Sequence, residues 1–159
     1  MTELHHLSSE DRAAVPAVEG MDPRIVRAGV DRVDVAEFGR ILATGGDEFL
    51  RIVYTVGERE HCDGRVDRLA ARFAAKEAVL KALGTGLRGI ALCEIEVVSD
   101  PDGQPLLVLH GRARTRADAL QIISMSVSLT HTTVAAEALV VALAADSSSD
   151  SPLPKEGTL

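Results

Sequence analysis

An α+β fold is predicted for this chain of 159 residues, with a mostly antiparallel sheet packed against one long helix and shorter helices. Strand and helix patterns do not alternate regularly, which argues against a doubly wound α/β sheet. One long helical pattern stands in the middle of the chain, and most strand patterns follow it. The length suits a single domain with a sizeable core.

Both ends of the chain have the composition of flexible tails. Residues 1–23 mix charge, Ser and Pro, and residues 146–159 are rich in Ser, Asp and Pro. We therefore expect one domain over residues 24–145. His5 and His6 lie in the first tail, where two histidines are more often incidental than metal ligands.

The first half of the domain predicts one strand and three helices. A strand is expected over residues 25–33 because of its Val and Ile content. Helical patterns follow at 35–42, around 47–53, and over a longer stretch at 66–83. Gly84 is suited to end the long helix because glycine readily takes a positive φ.

The second half begins with a predicted hairpin, whose strands at 94–99 and 105–109 are joined by the turn sequence DPDGQ. A short Arg-rich helix is expected over 112–120. The next strand pattern, IISMSVSL, alternates apolar residues with serines, which predicts one buried face made of Ile123, Met125, Val127 and Leu129. The nearly all-apolar segment 134–143 is predicted to be a central strand.

Charge and hydropathy exclude two classes of function. A formal charge of −7 argues against a general nucleic-acid binder, which needs an excess of Lys and Arg. There is no run of 18 apolar residues and no signal-peptide pattern at the N-terminus, so we expect a soluble, cytoplasmic protein with no membrane contact. Cys62 and Cys93 lack metal-site spacing and are expected to be small packing residues in a reducing cytosol.

The most informative stretch is RFAAKEAVLKALGTG, residues 72–86. On a helix, Phe73, Glu77 and Lys81 share one face. Spacing alone favours a solvated salt bridge between Glu77 and Lys81. The loop 84–86 could be only a helix cap, or a bare backbone that lets a phosphorylated ligand come close.

FAAKEAVLKALGTG resembles the signature of the holo-[acyl-carrier-protein] synthases, the short 4′-phosphopantetheinyl transferases. AGVDRVDV, FLRIVYTVGE and VSLTHT resemble further blocks of that family in the same order, and DGQP resembles a weaker fifth block. The resemblance covers about residues 25–143. It implies a Mg²⁺-dependent transfer of 4′-phosphopantetheine from coenzyme A to a serine of an apo acyl carrier protein, with release of 3′,5′-ADP. Carriers of fatty-acid, polyketide and peptide synthesis all remain open.

The resemblance makes Asp31 and Glu77 the protein ligands of Mg²⁺. This agrees with the preference of Mg²⁺ for one or two carboxylates together with substrate phosphate oxygens. It implies Lys81 at the leaving or bridging oxygen and His131 near the coenzyme A phosphates. The serine proton would pass to Glu77 or to a metal-bound water, and the sequence leaves both open.

The resemblance also implies a set of coenzyme A-binding positions. Arg51 is expected to contact a phosphate or the partner protein, and Lys76 to face phosphates. The full set is Arg51, Lys76, Gly84, Thr85, Gly86, Pro105, His131 and Thr132. The family further implies a homotrimer with active sites between subunits.

Several features depart from the family pattern. Arg32 follows Asp31 where the family has an apolar residue, which keeps open a non-catalytic homologue that binds coenzyme A or a carrier protein. The first helix, basic in the family, offers chiefly Arg40. Glu137 is expected to pair with Arg32 or a neighbour, within the chain or across a subunit interface. Two basic groups are expected to be solvated surface charge: Arg65, Arg68, Arg72 and Lys76 on one helical face, and Arg112, Arg114 and Arg116.

Overall fold

The computed structural model describes residues 26–86 and 89–145 and confirms the α+β fold. Along the chain lie β1 (Val26–Asp34), α1 (Val35–Val53), α2 (Val56–Cys62), α3 (Val66–Leu83), β2 (Ile95–Ser99), β3 (Pro105–Leu109), α4 (Gly111–Ala119), β4 (Ile122–His131) and β5 (Ala135–Ala144). The predicted tails and His5 and His6 lie outside the described residues. Within those residues, no helix is long and apolar enough to cross a membrane.

The main sheet has the order β1-β5-β4 and is antiparallel throughout, so β5 is the predicted central strand. The predicted hairpin is also present, as a separate two-stranded sheet of β2 and β3. One detail of β4 was predicted wrongly. The register shifts between Ile122 and Ser124, and this irregularity leaves Ile123 71% exposed instead of on the buried face.

Helix α3 packs across one face of the main sheet, and small residues let it come very close. Six alanines of α3 are buried, namely Ala70, Ala71, Ala74, Ala75, Ala78 and Ala82. A Cβ built on Gly29 of β1 would overlap the carbonyl oxygen of Ala78. Glycine at this position therefore sets the distance between β1 and α3, the two elements that carry Asp31 and Glu77.

The segment between β1 and α3 folds over one side of α3. The two predicted helices form one element, α1, which is interrupted where Gly46 takes φ 54° and ψ −150°. Phe38 anchors α1, with ring centroids 6.1 Å from Phe49 and 5.1 Å from Phe73. Cys62 is fully buried in the same cluster, as expected of a packing residue.

The face of the main sheet that turns away from α3 is apolar and exposed in the single chain. Its exposed side chains include Val26, Val30, Leu139, Val141 and Leu143. Arg32 and Glu137 lie opposite each other on this face, with Nε and Oε1 3.4 Å apart. The expected pairing of Glu137 with Arg32 is confirmed, and it is made within one chain.

Candidate active site

Asp31 and Glu77 line the same cleft, together with Phe38, Ile41 and Phe73. Asp31 projects from β1 toward α3, and Glu77 lies in the middle of α3. Burial raises the pKa of Glu77, the negative charge of Asp31 raises it further, and Lys81 partly offsets both effects. Two neighbouring carboxylates, one of them half-buried, form a natural site for a cation.

The donor set of this cleft fits Mg²⁺. Within residues 26–86 and 89–145, no group of three or more His, Cys, Asp and Glu side chains could hold a metal by itself. A pair of carboxylates leaves coordination positions for water and substrate oxygens, as Mg²⁺ prefers, and lacks the closed ligand set of a structural zinc site. The expected ligands Asp31 and Glu77 are thus placed together.

Lys81, one turn beyond Glu77 on α3, reaches across to β1. Its Nζ donates hydrogen bonds to Oδ1 of Asp31 and to the carbonyl oxygen of Val30, both at 2.7 Å. The Lys81 side chain remains 51% exposed. Spacing favoured a salt bridge between Glu77 and Lys81, but the ammonium pairs with the other carboxylate of the cleft.

The Gly-Thr-Gly loop begins as a helix cap. Gly84 has φ 69°, and its N–H donates to the carbonyls of Leu80 and Lys81. The N–H of Thr85 also donates to Leu80, at 3.2 Å, and Gly86 has φ 54°. Both glycines take conformations that other residues reach only with strain. Contact of this loop with a phosphorylated ligand stays a prediction.

Two guanidinium groups lie at the carbonyl end of α3. Nε of Arg27 donates to Ala82 O at 2.6 Å, and Nε of Arg116 donates to Leu83 O at 3.2 Å. Positive charge is favourable at this end of a helix because the last carbonyls are unpaired within it. These arginines hold the helix end, and with it Lys81, against β1 and α4.

A second cleft lies near the other end of α3. It is lined by His61, Arg68, Arg72, Pro105 and His131, among others. Two predicted coenzyme A contacts, Pro105 and His131, therefore lie together, although they come from different sheets.

His131 is held at the rim of this cleft by α3. Its Nδ1 lies 3.2 Å from Oδ2 of Asp67 in the first turn of that helix. A hydrogen bond from Arg65 lowers the pKa of Asp67 to about 2, so this carboxylate is charged at neutral pH. The opposite ring nitrogen of His131 is left for another partner.

Arg72 gives the second cleft an excess of positive charge. The side chain is only 6% exposed, so the expectation of a solvated surface arginine was wrong for this residue. Its Nε has no hydrogen-bond partner among the described residues, and its Nη1 reaches only the Arg68 carbonyl at 3.5 Å. The charge of Arg72, followed by burial and Arg68, lowers the pKa of His61. The charge of this guanidinium at the cleft suits an anionic ligand.

Lys76 does not lie in either cleft, and this corrects the expectation that it faces phosphates. Its side chain is fully buried, and Nζ donates to Oε2 of Glu58 at 2.7 Å. It donates further hydrogen bonds to the carbonyls of Leu92, at 3.1 Å, and Ile95. All three ammonium hydrogens are therefore used inside the core. Burial lowers the pKa of Lys76, and the charge of Glu58 counteracts this effect.

Thr132 and Arg51 have surface positions. Oγ1 of Thr132 accepts hydrogen bonds at 3.1 Å from the N–H groups of Val134 and Ala135, which shapes the turn between β4 and β5. Arg51 is exposed in the last turn of α1. A contact of either residue with coenzyme A stays a prediction.

The two clefts are separated along α3 within one chain. His131 is fixed to Asp67, whereas the carboxylate cleft contains Glu77, ten positions further along the helix. At 1.5 Å per residue these positions are about 15 Å apart along the helix axis. One copy of the chain does not bring His131 to the carboxylates.

Sequence reasoning missed His61 as a member of the second cleft and misjudged Arg68 and Arg72. The helical spacing of the two arginines was visible, but burial and the neighbouring β2–β3 hairpin decide their role. His61 was missed because α2, the helix that carries it, was not predicted.

The sequence model of a protein family, the 4′-phosphopantetheinyl transferase superfamily, matches residues 27–143 of this chain. A holo-[acyl-carrier-protein] synthase of Chloroflexus aurantiacus is 46% identical over 132 residues, which cover 73% of this chain and 96% of that protein. The synthase of Herpetosiphon aurantiacus is 44% identical over 122 residues, covering 72% of this chain and 96% of the relative.

Solved structures of the same kind of protein share the fold. The Helicobacter pylori holo-[acyl-carrier-protein] synthase in complex with coenzyme A aligns with a TM-score of 0.67 and 28% identity, over 72% of this chain and 98% of that one. The acyl carrier protein synthase of Mycobacterium tuberculosis aligns with a TM-score of 0.60 and 32% identity, over 76% and 99% of the two chains.

Proposed function

Because the chain belongs to the 4′-phosphopantetheinyl transferase superfamily, we propose that it is a holo-[acyl-carrier-protein] synthase. It transfers 4′-phosphopantetheine from coenzyme A to a serine hydroxyl of an apo acyl carrier protein and releases 3′,5′-ADP. The observation that carries this proposal is the convergence of Asp31, Glu77 and Lys81 from two elements on one cleft, in a chain that matches its relatives over nearly their full length.

Asp31 and Glu77 are the residues we assign to hold Mg²⁺. When bound, the metal supplies positive charge to the diphosphate of coenzyme A and a template for its oxygens. The serine proton needs an acceptor beside the cleft. Glu77, which lines the cleft, or a metal-bound water would take this role.

Positive charge from the chain itself completes the phosphate site. Lys81 is exposed enough to reach an oxygen of the diphosphate and stabilise the leaving 3′,5′-ADP. The second cleft, with Arg72, Arg68 and His131, is the part of the surface suited to the remaining 3′-phosphate of coenzyme A. Asp67 fixes the ring of His131 through Nδ1, which leaves Nε2 available to a ligand in this cleft.

The separation of the two clefts supports an active site shared between copies of the chain. If the cleft with Asp31 and Glu77 of one copy faces the His131 cleft of the next, repeating this contact builds a closed ring. The resemblance to the synthases supports a ring of three. The exposed apolar face of the main sheet supplies a surface that association would bury.

The carrier protein has an approach along α1. A groove lined by Arg40, Ile41, Thr44 and Phe49 shares Glu37 and Ile41 with the carboxylate cleft, so the two are continuous. A carrier docked in this groove would place its serine beside Asp31 and Glu77. Helix α1 carries three acidic and two basic side chains, which does not favour a strongly acidic partner.

The pathway and the location of the enzyme are also part of the proposal. Carriers of fatty-acid, polyketide or peptide synthesis fit the chemistry equally well. The cysteines Cys62 and Cys93 are free thiols, as suits a reducing cytoplasm. A non-catalytic homologue that binds coenzyme A or a carrier is the alternative, and only Arg32 beside Asp31 favours it.

Mass spectrometry of apo carrier proteins incubated with the chain, coenzyme A and Mg²⁺ tests the proposal. We expect the mass of one phosphopantetheine to be added to a carrier, and expect its loss in Asp31→Asn and Glu77→Gln. Glu60→Gln, which changes an exposed glutamate of α2, is the matched control and should retain transfer. Coenzyme A binding without transfer to any carrier class would favour the non-catalytic alternative.

A further inference from the structure

We infer that Lys81 is the resident counter-ion of Asp31, and that it must give up this contact when a divalent cation binds to the carboxylate cleft. The inference rests on the proposed metal ligands and concerns how this chain loads its metal. It assigns Lys81 a role before any phosphate arrives: its ammonium competes with the metal for Asp31.

The hydrogen bonds of Lys81 carry the inference. Nζ lies 2.7 Å from Oδ1 of Asp31, a contact of normal ion-pair length, and a second bond to Val30 O fixes the ammonium at that spot. The Asp31 side chain is 19% exposed, so few other directions are open to a cation that approaches it. An ammonium and a divalent cation that share one carboxylate oxygen repel each other strongly at such distances.

The position of Lys81 makes its release feasible. The side chain is half exposed and stands in the last turn of α3, and its ammonium is hydrogen-bonded to Asp31 and to the Val30 carbonyl. A flexible lysine can swing away at little cost in packing. A released ammonium near the cleft would then favour an anionic ligand such as a diphosphate, so metal loading and phosphate binding would assist each other.

Arg32 provides the matched control. It follows Asp31 in the chain and borders the same cleft, but its side chain lies on the opposite face of the sheet, where the guanidinium pairs with Glu137 at 3.4 Å. Removing Arg32 takes away one positive charge near the cleft without freeing an oxygen of Asp31. Direct competition would change the metal affinity only when Lys81 is replaced, whereas a long-range charge effect would change it for Arg32 as well.

The test is a titration of the full chain with Mn²⁺, without coenzyme A, in which electron paramagnetic resonance measures the free ion. Mn²⁺ is chosen because it accepts the same oxygen ligands as Mg²⁺. Lys81→Met should tighten Mn²⁺ binding about 3- to 10-fold, whereas Arg32→Met should change it less than about twofold. Asp31→Asn should abolish the site, and thermal melts should show that each variant is folded.

Equal affinities of the original chain and Lys81→Met would overturn the inference. So would an equal gain in Lys81→Met and Arg32→Met, because it would indicate general charge removal. Mn²⁺ binding that does not depend on Asp31 would overturn the proposed metal ligands and the inference together. Transfer activity, measured separately, decides the proposed function regardless of the Lys81 result.

A second measurement needs no variant. The acetylation rate of Lys81 by a small water-soluble reagent, followed by peptide mass spectrometry, should rise at least about threefold when Mg²⁺ is added, because Nζ is released from its hydrogen bonds to Asp31 and Val30. Lys76, which is fully buried, should stay unreactive in both conditions. A Lys81 rate that does not change at saturating Mg²⁺ would contradict the inference.

Discussion

The ammonium of Lys76 lies 2.7 Å from Oε2 of Glu58, and both side chains have no solvent exposure. Glu58 also accepts hydrogen bonds from the N–H groups of Thr55 and Val97, at 3.0 Å each. This pair therefore ties α2, α3 and β2 together at one buried point. Lys76, which precedes the proposed metal ligand Glu77 in sequence, has a structural task, because successive helix residues point in different directions.

Lys76→Met is predicted to destabilise the fold by about 3–5 kcal/mol, because Glu58 would remain buried without its partner. Urea denaturation measures the change. Lys81→Met, which removes a half-exposed lysine from the same helix, should cost less than about 1 kcal/mol. A similar small cost for both variants would show that the buried pair is not needed.

Glu77→Gln is predicted to stabilise the chain at neutral pH when a chelator is present. Burial and Asp31 raise the pKa of Glu77 above its ordinary value of 4.5 in the folded chain, so ionisation of Glu77 opposes folding. This penalty is absent below the unfolded pKa, grows as pH rises toward the folded pKa, and is constant above it. The gain should be at most about 1 kcal/mol, since solvent screens a partly exposed charge.

Denaturation curves of Glu77→Gln and the original chain at pH 7.5 and pH 5 check this sign. The difference in unfolding free energy should shrink at the lower pH. A variant that is less stable at pH 7.5, or a difference that grows as pH falls, would contradict the assigned electrostatics of the cleft.

Gly29→Ala is predicted to destabilise the fold by more than about 3 kcal/mol, because the new methyl group would overlap the Ala78 carbonyl and push α3 from β1. Gly39→Ala in α1 is the control. Its Cβ would meet only a Val66 methyl at 3.6 Å, and alanine favours a helix by about 1 kcal/mol. Chemical denaturation should show a lower free energy of unfolding for Gly29→Ala and a higher one for Gly39→Ala. A Gly29→Ala variant as stable as the original chain would contradict the close approach of β1 and α3.

Docking of the carrier is predicted to depend little on salt. Because acidic and basic side chains nearly balance on α1, raising the salt concentration from 50 to 300 mM should change the carrier KM by less than about threefold. Ile41→Asp should raise that KM about tenfold or more, since it puts a charge into the apolar groove. The KM for coenzyme A serves as the internal reference. A steep salt dependence would indicate ionic docking instead.

Most of the fold could be predicted from the sequence because the hydrophobic periodicity of each segment agrees with the helix or strand that it forms. The helix α3 was predicted with about its observed bounds, since its helical period ends at a glycine that caps it. The alternating pattern of β4 and the apolar run of β5 also gave the right strands. The short helix α2 was missed, although Thr55 and Glu58 form a capping box that the T-x-x-E spacing could have revealed.

The site was harder to predict than the fold because its contacts come from distant parts of the chain. Nothing local indicates that Lys81 bonds to Asp31, 50 positions away, or that Asp67 holds His131. The division of the predicted site residues between two clefts also depends on how α3 crosses the sheet. The sequence motifs therefore identified candidate site residues, whereas only the tertiary structure shows which of them lie in the same cleft.

The most direct test of the account is the transfer activity of mixed assemblies made from two inactive variants, Glu77→Gln and His131→Ala. Co-expressed with different affinity tags and purified through both, the two chains should regain activity. In a ring of three that contains both variants, one of the three shared sites, about one third, combines an intact Glu77 from one copy with an intact His131 from another. Carrier modification near that fraction of the original rate is the predicted result. Mixed assemblies no more active than either variant alone would contradict an active site formed between copies of this chain.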